Sequence, residues 1–369
     1  MQRIIRIKDS YSELYDYLRR YECAAVMLVV DTSFEKLSAY EKIMRIEKEC
    51  GCRLVRFDDF IPNPVYSSVE KGVELFKSEG CKAVIAVGGG SAIDVAKCIK
   101  LYATANANEN YLTQKVAPND IELIAVPTTA GTGSEATKFS VVYLNGEKQS
   151  VADESIIPYI VVLDATMLYS LPEYQKKSTL CDAFFHAVES FWSVNSDDTS
   201  KAIAESVILC ISKNYKKYLS GDREICAVMQ NAAYDAGRAI NITQTTAGHA
   251  MSYKLTSLFG ISHGHAVAVA NCGLAKYMID NTDKCIDSRG KDYLECVFKD
   301  LSVMLGGHSM RDLPELLTGF TQYMHFDIPS ATQEQLKILS ESVNPVRLKN
   351  NPVGVTPKDA YDIYKNILA

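Results

Sequence analysis

VIAVGGGSAIDVAK, residues 84–97, decides the fold: an unbroken run of small and branched apolar residues, three glycines, a serine, then residues of helical period. A strand that is apolar at every position is buried on both faces, as in a parallel sheet covered by helices. The glycines let backbone approach a ligand closely, and the N–H groups that open the helix near Ala92 favour an anion. Ser91 can cap that helix or donate to a phosphate. A tight strand-to-helix turn accounts for the same letters, and the loop lacks the G-x-G-x-x-G spacing of the usual dinucleotide fingerprint.

Outward from this stretch, AAVMLVV (24–30), ELIAVP (122–127) and IVVLD (160–164) repeat the strand pattern. Helical stretches separate them, among them VEKGVELFKSEG (69–80), where Val69, Val73, Leu75 and Phe76 fall roughly on one face. Residues 1–172 are therefore expected to form an α/β, doubly wound, Rossmann-like domain with a parallel sheet. Past Leu171-Pro172 the strand-like runs stop and helical period continues to the C-terminus, so residues 173–369 are expected to be an all-α domain. Two domains also suit 369 residues. Asn63-Pro64, Asn344-Pro345 and Asn351-Pro352 mark turns or loops.

At 47% hydrophobic and 23% charged residues the composition is that of an ordinary globular protein. The net charge of −6 argues against a nucleic-acid partner and for a small molecule. The N-terminus, MQRIIRIKDSYSELYDYLRR, lacks the uninterrupted apolar core of a signal peptide, and no stretch approaches the length of a membrane span. Of eleven cysteines, Cys81, Cys98, Cys181, Cys210 and Cys226 sit singly in apolar stretches, and Cys50 and Cys52 form a C-x-C with no second pair nearby. Free thiols in a reducing cytoplasm fit better than disulfides or a zinc knuckle.

A second polar loop follows the next strand: AVPTTAGTGSEAT, 125–137, with four threonines, two glycines and a serine. Two such loops at strand C-terminal ends point to one shared ligand crevice, although a Thr-rich turn also serves as a helix cap. Asp31 ends the strand VMLVVD where a carboxylate can accept from an adenosine ribose and repel a 2′-phosphate, favouring NAD(H) over NADP(H). Capping of the segment DTSFEKL explains that aspartate equally well.

In the second half, CDAFFHAVES spaces Asp182 and His186 i, i+4, one above the other on a helix face. AGHAMSYKLTSLFGISHGHA (247–266) adds His249, His263 and His265 amid apolar and glycine residues. A lone buried histidine is usually a satisfied core residue; three beside glycines are harder to explain that way. One carboxylate with imidazoles suits Fe²⁺, Zn²⁺ or Ni²⁺ without distinguishing them.

Taken together, GGGSAIDVAK, PTTAGTGSEAT, D-x-x-x-H at 182–186 and H-x(13)-H-G at 249–264 resemble the iron-containing alcohol dehydrogenase family, in order and separation across most of the chain. The resemblance implies an N-terminal dinucleotide domain and a helical domain whose metal, Fe²⁺ first and Zn²⁺ second, is held by Asp182, His186, His249 and His263. It further implies that Gly89, Gly90 and Ser91 hold the diphosphate, that Asp94, Thr128, Thr129 and Thr132 lie beside the cofactor with Lys148 nearby, and that Leu168 packs against the nicotinamide or adenosine region. His265 is left as a neighbour of the ligand set. Many family members carry a further histidine four residues after the His249 position; Tyr253 stands there in this chain, so Tyr253 and His265 become the candidates for proton transfer. A homodimer or higher homo-oligomer is the family's expectation.

The segment 247–266 and the late RLKNNPV resemble a branch whose members reduce anionic two-carbon aldehydes, sulfoacetaldehyde or phosphonoacetaldehyde. Arg238, Lys254 and Arg347 are the candidate partners for such an anion. Two rival readings are a metal-dependent lyase or cyclase resembling dehydroquinate synthase, against which the additional histidine argues, and a non-catalytic NAD-binding protein, against which the full ligand set argues.

Overall fold

A computed structural model describes residues 2–106 and 109–368. The chain divides into two compact units, Met1–Leu171 and Pro172–Ala369.

The first unit is built on six parallel strands: β1 (Arg3–Arg6), β2 (Ala25–Val30), β3 (Arg53–Phe57), β4 (Ala83–Gly88), β5 (Glu122–Pro127) and β8 (Ile160–Leu163), in the order β1-β8-β5-β4-β2-β3. The unbroken apolar runs follow from burial on both faces. Val84 and Ala86 join one core cluster with Leu123 and Ala125, whereas Ile85 and Val87 join another with Ile124 and Val126. Alternate side chains thus feed opposite cores. Helices α1 (Tyr66–Ser78) and α2 (Gly90–Tyr102) cover the first of these faces through Val69, Val73, Phe76, Ile93 and Ala96. Leu75 is only partly buried and packs at that cluster's margin.

Sequence pattern did not single out three features. Edge strands β1 (RIIR) and β3 (RLVRF) mix charged with apolar residues, because an edge strand keeps partial contact with water. A separate antiparallel hairpin, β6 (Phe139–Leu144) and β7 (Glu147–Ala152), turns at Asn145-Gly146, both with positive φ (54° and 79°). Helix α2 begins at Gly90, two residues before the expected Ala92.

Strand order reverses between β2 and β4: β3 lies outside β2 on one side, and β4, β5 and β8 follow on the other. Parallel sheets bind ligands beyond the C-terminal ends of the strands at such a switch point. Here those ends carry Asp31 and the glycine loop.

The second unit is helical. Its first helix, α3 (Glu173–Trp192), is buried at every residue from Leu180 to Trp192, which is why its apolar residues run round the whole helix. Around it lie α4 (Asp198–Leu219), α5 (Arg223–Thr243), α6 (Ala247–Phe259) and α7 (His263–Asp280), with shorter helices completing the unit. Gly260 closes α6 in the left-handed conformation (φ 67°), and α7 starts three residues later. Gly264 admits no side chain, since a Cβ there would stand 1.9 Å from the Ser178 carbonyl oxygen. That close approach brings the first turn of α7, and hence His263, against α3. All eleven cysteines are free thiols. Among the described residues no helix is long and apolar enough to cross a membrane.

Candidate functional site

The two polar loops of the first unit meet. Thr128 N donates to Gly88 O at 3.1 Å. A Cβ on Gly90 would lie 2.9 Å from Thr132 Cγ2, and one on Gly89 3.5 Å from Thr129 Cγ2. Asp31 belongs to the same corner, its Oδ2 lying 3.3 Å from where a Gly88 Cβ would be. Gly89 precedes α2 without a side-chain cap, which leaves its first-turn N–H groups the kind of donors that favour an anion. Ser91 Oγ accepts from Asn63 N at 3.4 Å.

The remaining residues expected here divide by what they touch. Asp31 Oδ1 accepts from Ser33 N at 2.8 Å and Ser33 Oγ at 2.5 Å, so it caps its own turn while its other oxygen faces the glycine loop. Asp94 is a clasp: it accepts from Ser134 Oγ at 2.6 Å and Val141 N at 2.9 Å, tying the threonine loop and hairpin to α2. Burial raises its pKa, against Lys97 and those two donors. Lys97, equally buried, donates to Thr137 O at 2.6 Å and Phe139 O at 2.7 Å. Lys148, on β7, lies within electrostatic reach of Asp94. Leu168 is fully buried and presents no surface to a ligand.

In the second unit, three helices converge. Asp182 and His186 project from α3, His249 from the first turn of α6, and His263 is the first residue of α7. From Asp182 Oδ1 the distances to Nε2 are 3.8 Å for His186, 3.4 Å for His249 and 3.7 Å for His263. The His186 and His249 rings stack at 4.5 Å with 12° between planes. Asp182, His186 and His249 are buried, whereas the His263 side chain keeps 37% of its surface exposed. The set therefore has one open side.

These separations exceed the roughly 2.7–2.9 Å of a charge-assisted hydrogen bond. They match donor atoms sharing one ion: tetrahedral ligands at about 2.1 Å from a metal lie about 3.4 Å from one another. Asp182, His249 and His263 each offer an atom within 4.8 Å of the others; His186 stands outside that group of three, with its Nε2 3.8 Å from Asp182 Oδ1. Burial pushes the Asp182 carboxyl up, but His186, His263 and His249 outweigh it and hold the group below the usual carboxylate range. One anionic oxygen and three imidazole nitrogens, largely shielded from water, fit a divalent transition metal.

Behind His249 stands a residue that sequence pattern missed. Glu189, two turns beyond Asp182 on α3, has its Oε1 2.6 Å from His249 Nδ1. Its only sequence signal is the seven-residue spacing from Asp182, which repeats the face that bears His186.

The other expected site residues are dispersed. Tyr253 stacks on the His263 ring at 5.9 Å, beside the open side. His265, two residues after His263, points about 200° away round the helix; it packs on Phe326 at 4.1 Å and shares a hydrogen bond with Tyr174 Oη at Nδ1, 3.1 Å. Burial lowers its pKa to about 4, against Asp327. Arg238 is exposed and paired with Asp235 at 2.8 Å, an ordinary surface contact. Arg347 is half-buried and donates to Gln244 Oε1 at 2.7 Å, in the turn that leads into α6. Lys254 is half-buried on α6, one residue past Tyr253.

Comparison with known proteins yields a coherent set. Residues 2–165 match the model of the iron-containing alcohol dehydrogenase family, and residues 177–368 match that of the family's C-terminal domain. Alcohol dehydrogenase 4 of Schizosaccharomyces pombe is 31% identical over 257 residues, 68% of this chain and 61% of that protein's length, so the match leaves more than a third of that relative uncovered. The NAD-dependent methanol dehydrogenase of Bacillus methanolicus is 26% identical over 98% of this chain and 97% of its own. In fold, the chain is similar to sulfoacetaldehyde reductase from Bifidobacterium kashiwanohense in complex with NAD⁺, with TM-score 0.86, 23% identity, and coverage of 100% of this chain and 97% of that one.

Proposed function

The chain belongs to the iron-containing alcohol dehydrogenase family, and from that premise we propose that it is a metal-dependent, NAD-linked aldehyde reductase, reversible as an alcohol dehydrogenase. The observation that carries this reading is the convergence of three imidazole Nε2 atoms on Asp182 Oδ1 at 3.4–3.8 Å. Asp182, His186, His249 and His263 are the ligands of a divalent metal, Fe²⁺ in first place and Zn²⁺ in second. Gly89, Gly90 and Ser91, with Thr128, Thr129 and Thr132, seat the dinucleotide's diphosphate. Asp31 Oδ2 beside Gly88 favours NAD(H), because a carboxylate there repels a 2′-phosphate. Residues 1–172 form the dinucleotide domain and 173–369 the metal and substrate domain of a cytoplasmic homo-oligomer.

When bound, the metal supplies Lewis acidity at the substrate oxygen, and the nicotinamide supplies or accepts a hydride. The protein's part is placement. The partly exposed edge of His263 leaves the side by which substrate oxygen enters, and Tyr253, stacked on that ring, borders it and offers a phenol as hydrogen-bond donor. The buried flank of His186 and His249 keeps water from the opposite side. His265, turned away toward Tyr174 and Phe326, braces the start of α7: Ser262 N donates to Tyr174 Oη at 3.0 Å, and that hydroxyl serves His265.

Within this reading the substrate is an anionic two-carbon aldehyde, sulfoacetaldehyde or phosphonoacetaldehyde. Arg347 is the favoured partner for the anion, since it is half-buried and its guanidinium is oriented by Gln244, whereas Arg238 is committed to Asp235 at the surface. A steady-state screen of short aldehydes against NADH and NADPH, on metal-replete enzyme, tests these points. The expected outcome is NADH oxidation that disappears on metal removal, with sulfo- or phosphono-substituted aldehydes preferred over propanal. Turnover that survives metal removal contradicts the metal assignment, and equal use of propanal contradicts the substrate class.

A further inference from the structure

Glu189 has no exposed surface, and five donors surround its two oxygens. Oε1 accepts from His249 N at 3.0 Å and Asn271 Nδ2 at 2.9 Å and lies 2.6 Å from His249 Nδ1; Oε2 accepts from Thr246 N at 2.5 Å and Thr246 Oγ1 at 2.7 Å. With Thr246 N, His249 N and Asn271 Nδ2 all donating to it, Glu189 is placed as an acceptor, so the proton in the short contact is assigned to His249 Nδ1. Nε2 of the same ring is the atom 3.4 Å from Asp182 Oδ1.

Asn271, on α7, is shaped to hold this carboxylate in place. Its Nδ2 also donates to Val267 O at 3.0 Å, and its side chain lies so close to Gly248 that a Cβ there would meet Asn271 Oδ1 at 2.2 Å. Gly248 is the residue before His249, so the glycine, the amide and the carboxylate form one contiguous support for a single imidazole.

We propose that Glu189 is the positioning residue of the metal centre: it holds His249 in the Nδ1–H form with Nε2 turned toward Asp182 Oδ1, as a ligand to a shared metal would require. Asn271 sets Glu189 in turn. The inference rests on the metal-ligand reading of Asp182 and the three histidines.

The test is competition for Co²⁺ between a chelator and the full-length protein, read together with the visible spectrum of the bound Co²⁺. Four proteins are compared: wild type, Asp182→Asn, Glu189→Gln and Asn271→Ala. Loss of a residue behind a metal-ligating histidine lowers metal affinity about 10- to 100-fold, so Glu189→Gln is expected to bind Co²⁺ that much more weakly with a shifted spectrum. Asn271→Ala, which leaves Glu189 its other donors, is expected to weaken binding roughly 3- to 10-fold. If Glu189→Gln does not fold, Asn271→Ala decides the question. Wild type that binds no Co²⁺, or binds it as well after Asp182→Asn, overturns the metal-ligand reading itself. Wild type that loses Co²⁺ on Asp182→Asn while Glu189→Gln and Asn271→Ala match it in affinity and spectrum overturns the positioning role alone. A fall in melting temperature with an unchanged Co²⁺ spectrum also assigns Glu189 a purely structural part.

Discussion

In the proposed function the corner around Asp31 and Gly88 and the centre around Asp182 meet the same task, holding a charged ligand, by opposite means. The first relies on backbone. Its glycines leave no side chain beside Thr129 and Thr132, and in the proposed function the opening N–H groups of α2 are the donors to a phosphate. The second relies on side chains from three helices, each fixed by packing or by a buried partner such as Glu189. A backbone site is contiguous and tolerates exchange of its exposed side chains, whereas a side-chain site is assembled from distant segments and fails when any ligand or its support is lost.

The largest effect should come from the ligands. Asp182→Asn or His249→Ala is expected to lower metal affinity by at least the roughly 100-fold that loss of an outer partner can cost, with NADH binding unchanged. Metal analysis with NADH titration checks this, and a parallel loss of NADH binding would break the separation of the two regions.

Next comes the close contact that seats α7. Gly264→Ala places a Cβ 1.9 Å from a backbone oxygen that cannot swing aside. Overpacking of this kind costs about 3 kcal/mol, read as a lower urea midpoint, and metal affinity should fall with it because His263 is the neighbouring residue.

Electrostatics in the first unit offer a third test. Burial raises the Glu135 pKa to about 7, with Lys97 opposing. The folded state then binds more protons than the unfolded chain between about pH 4.5 and 7, so this group's contribution makes stability fall as pH rises through that window. Glu135→Gln should remove a slope worth on the order of 2 kcal/mol across it, measured by urea unfolding at pH 5 and pH 7.5. An unchanged slope would show that Glu135 ionises freely.

Gly90→Ala is the counterpart of the ligand variants. The clash is with Thr132 Cγ2 at 2.9 Å, the end of a side chain, so the fold should survive. NADH should bind roughly tenfold more weakly while metal content stays at the wild-type level. The smallest effect belongs to Arg238→Ala: its exposed pair with Asp235 contributes about 0–1 kcal/mol, and KM for an anionic aldehyde should not move, in contrast to Arg347→Ala.

The same contrast explains what was legible in the sequence. The glycine loop, the threonine loop and the central strands were readable because each is a local pattern, and Val84 to Val87 must be apolar throughout to feed two cores. The metal-type residues stood out because histidines are rare in apolar helices, and the i, i+4 spacing of Asp182 and His186 survives folding unchanged. Glu189 was not readable: a glutamate inside a helix ordinarily reads as surface, and only the approach of His249, Thr246 and Asn271 from other segments makes it a buried acceptor. The edge strands β1 and β3 escaped for a related reason, since their charged positions follow from where they lie in the sheet. His265 shows the converse. Two positions along a helix from His263, it shares the histidine-rich motif but not the face.

X-ray absorption at the iron edge of Fe²⁺-loaded protein examines the central claim most directly. The arrangement of Asp182, His186, His249 and His263 predicts a first shell of oxygen and nitrogen at about 2.0–2.2 Å, with the multiple-scattering signature of three imidazoles, and one imidazole fewer after His249→Ala. A sulfur shell near about 2.3 Å, or a spectrum that His249→Ala leaves unchanged, would contradict it.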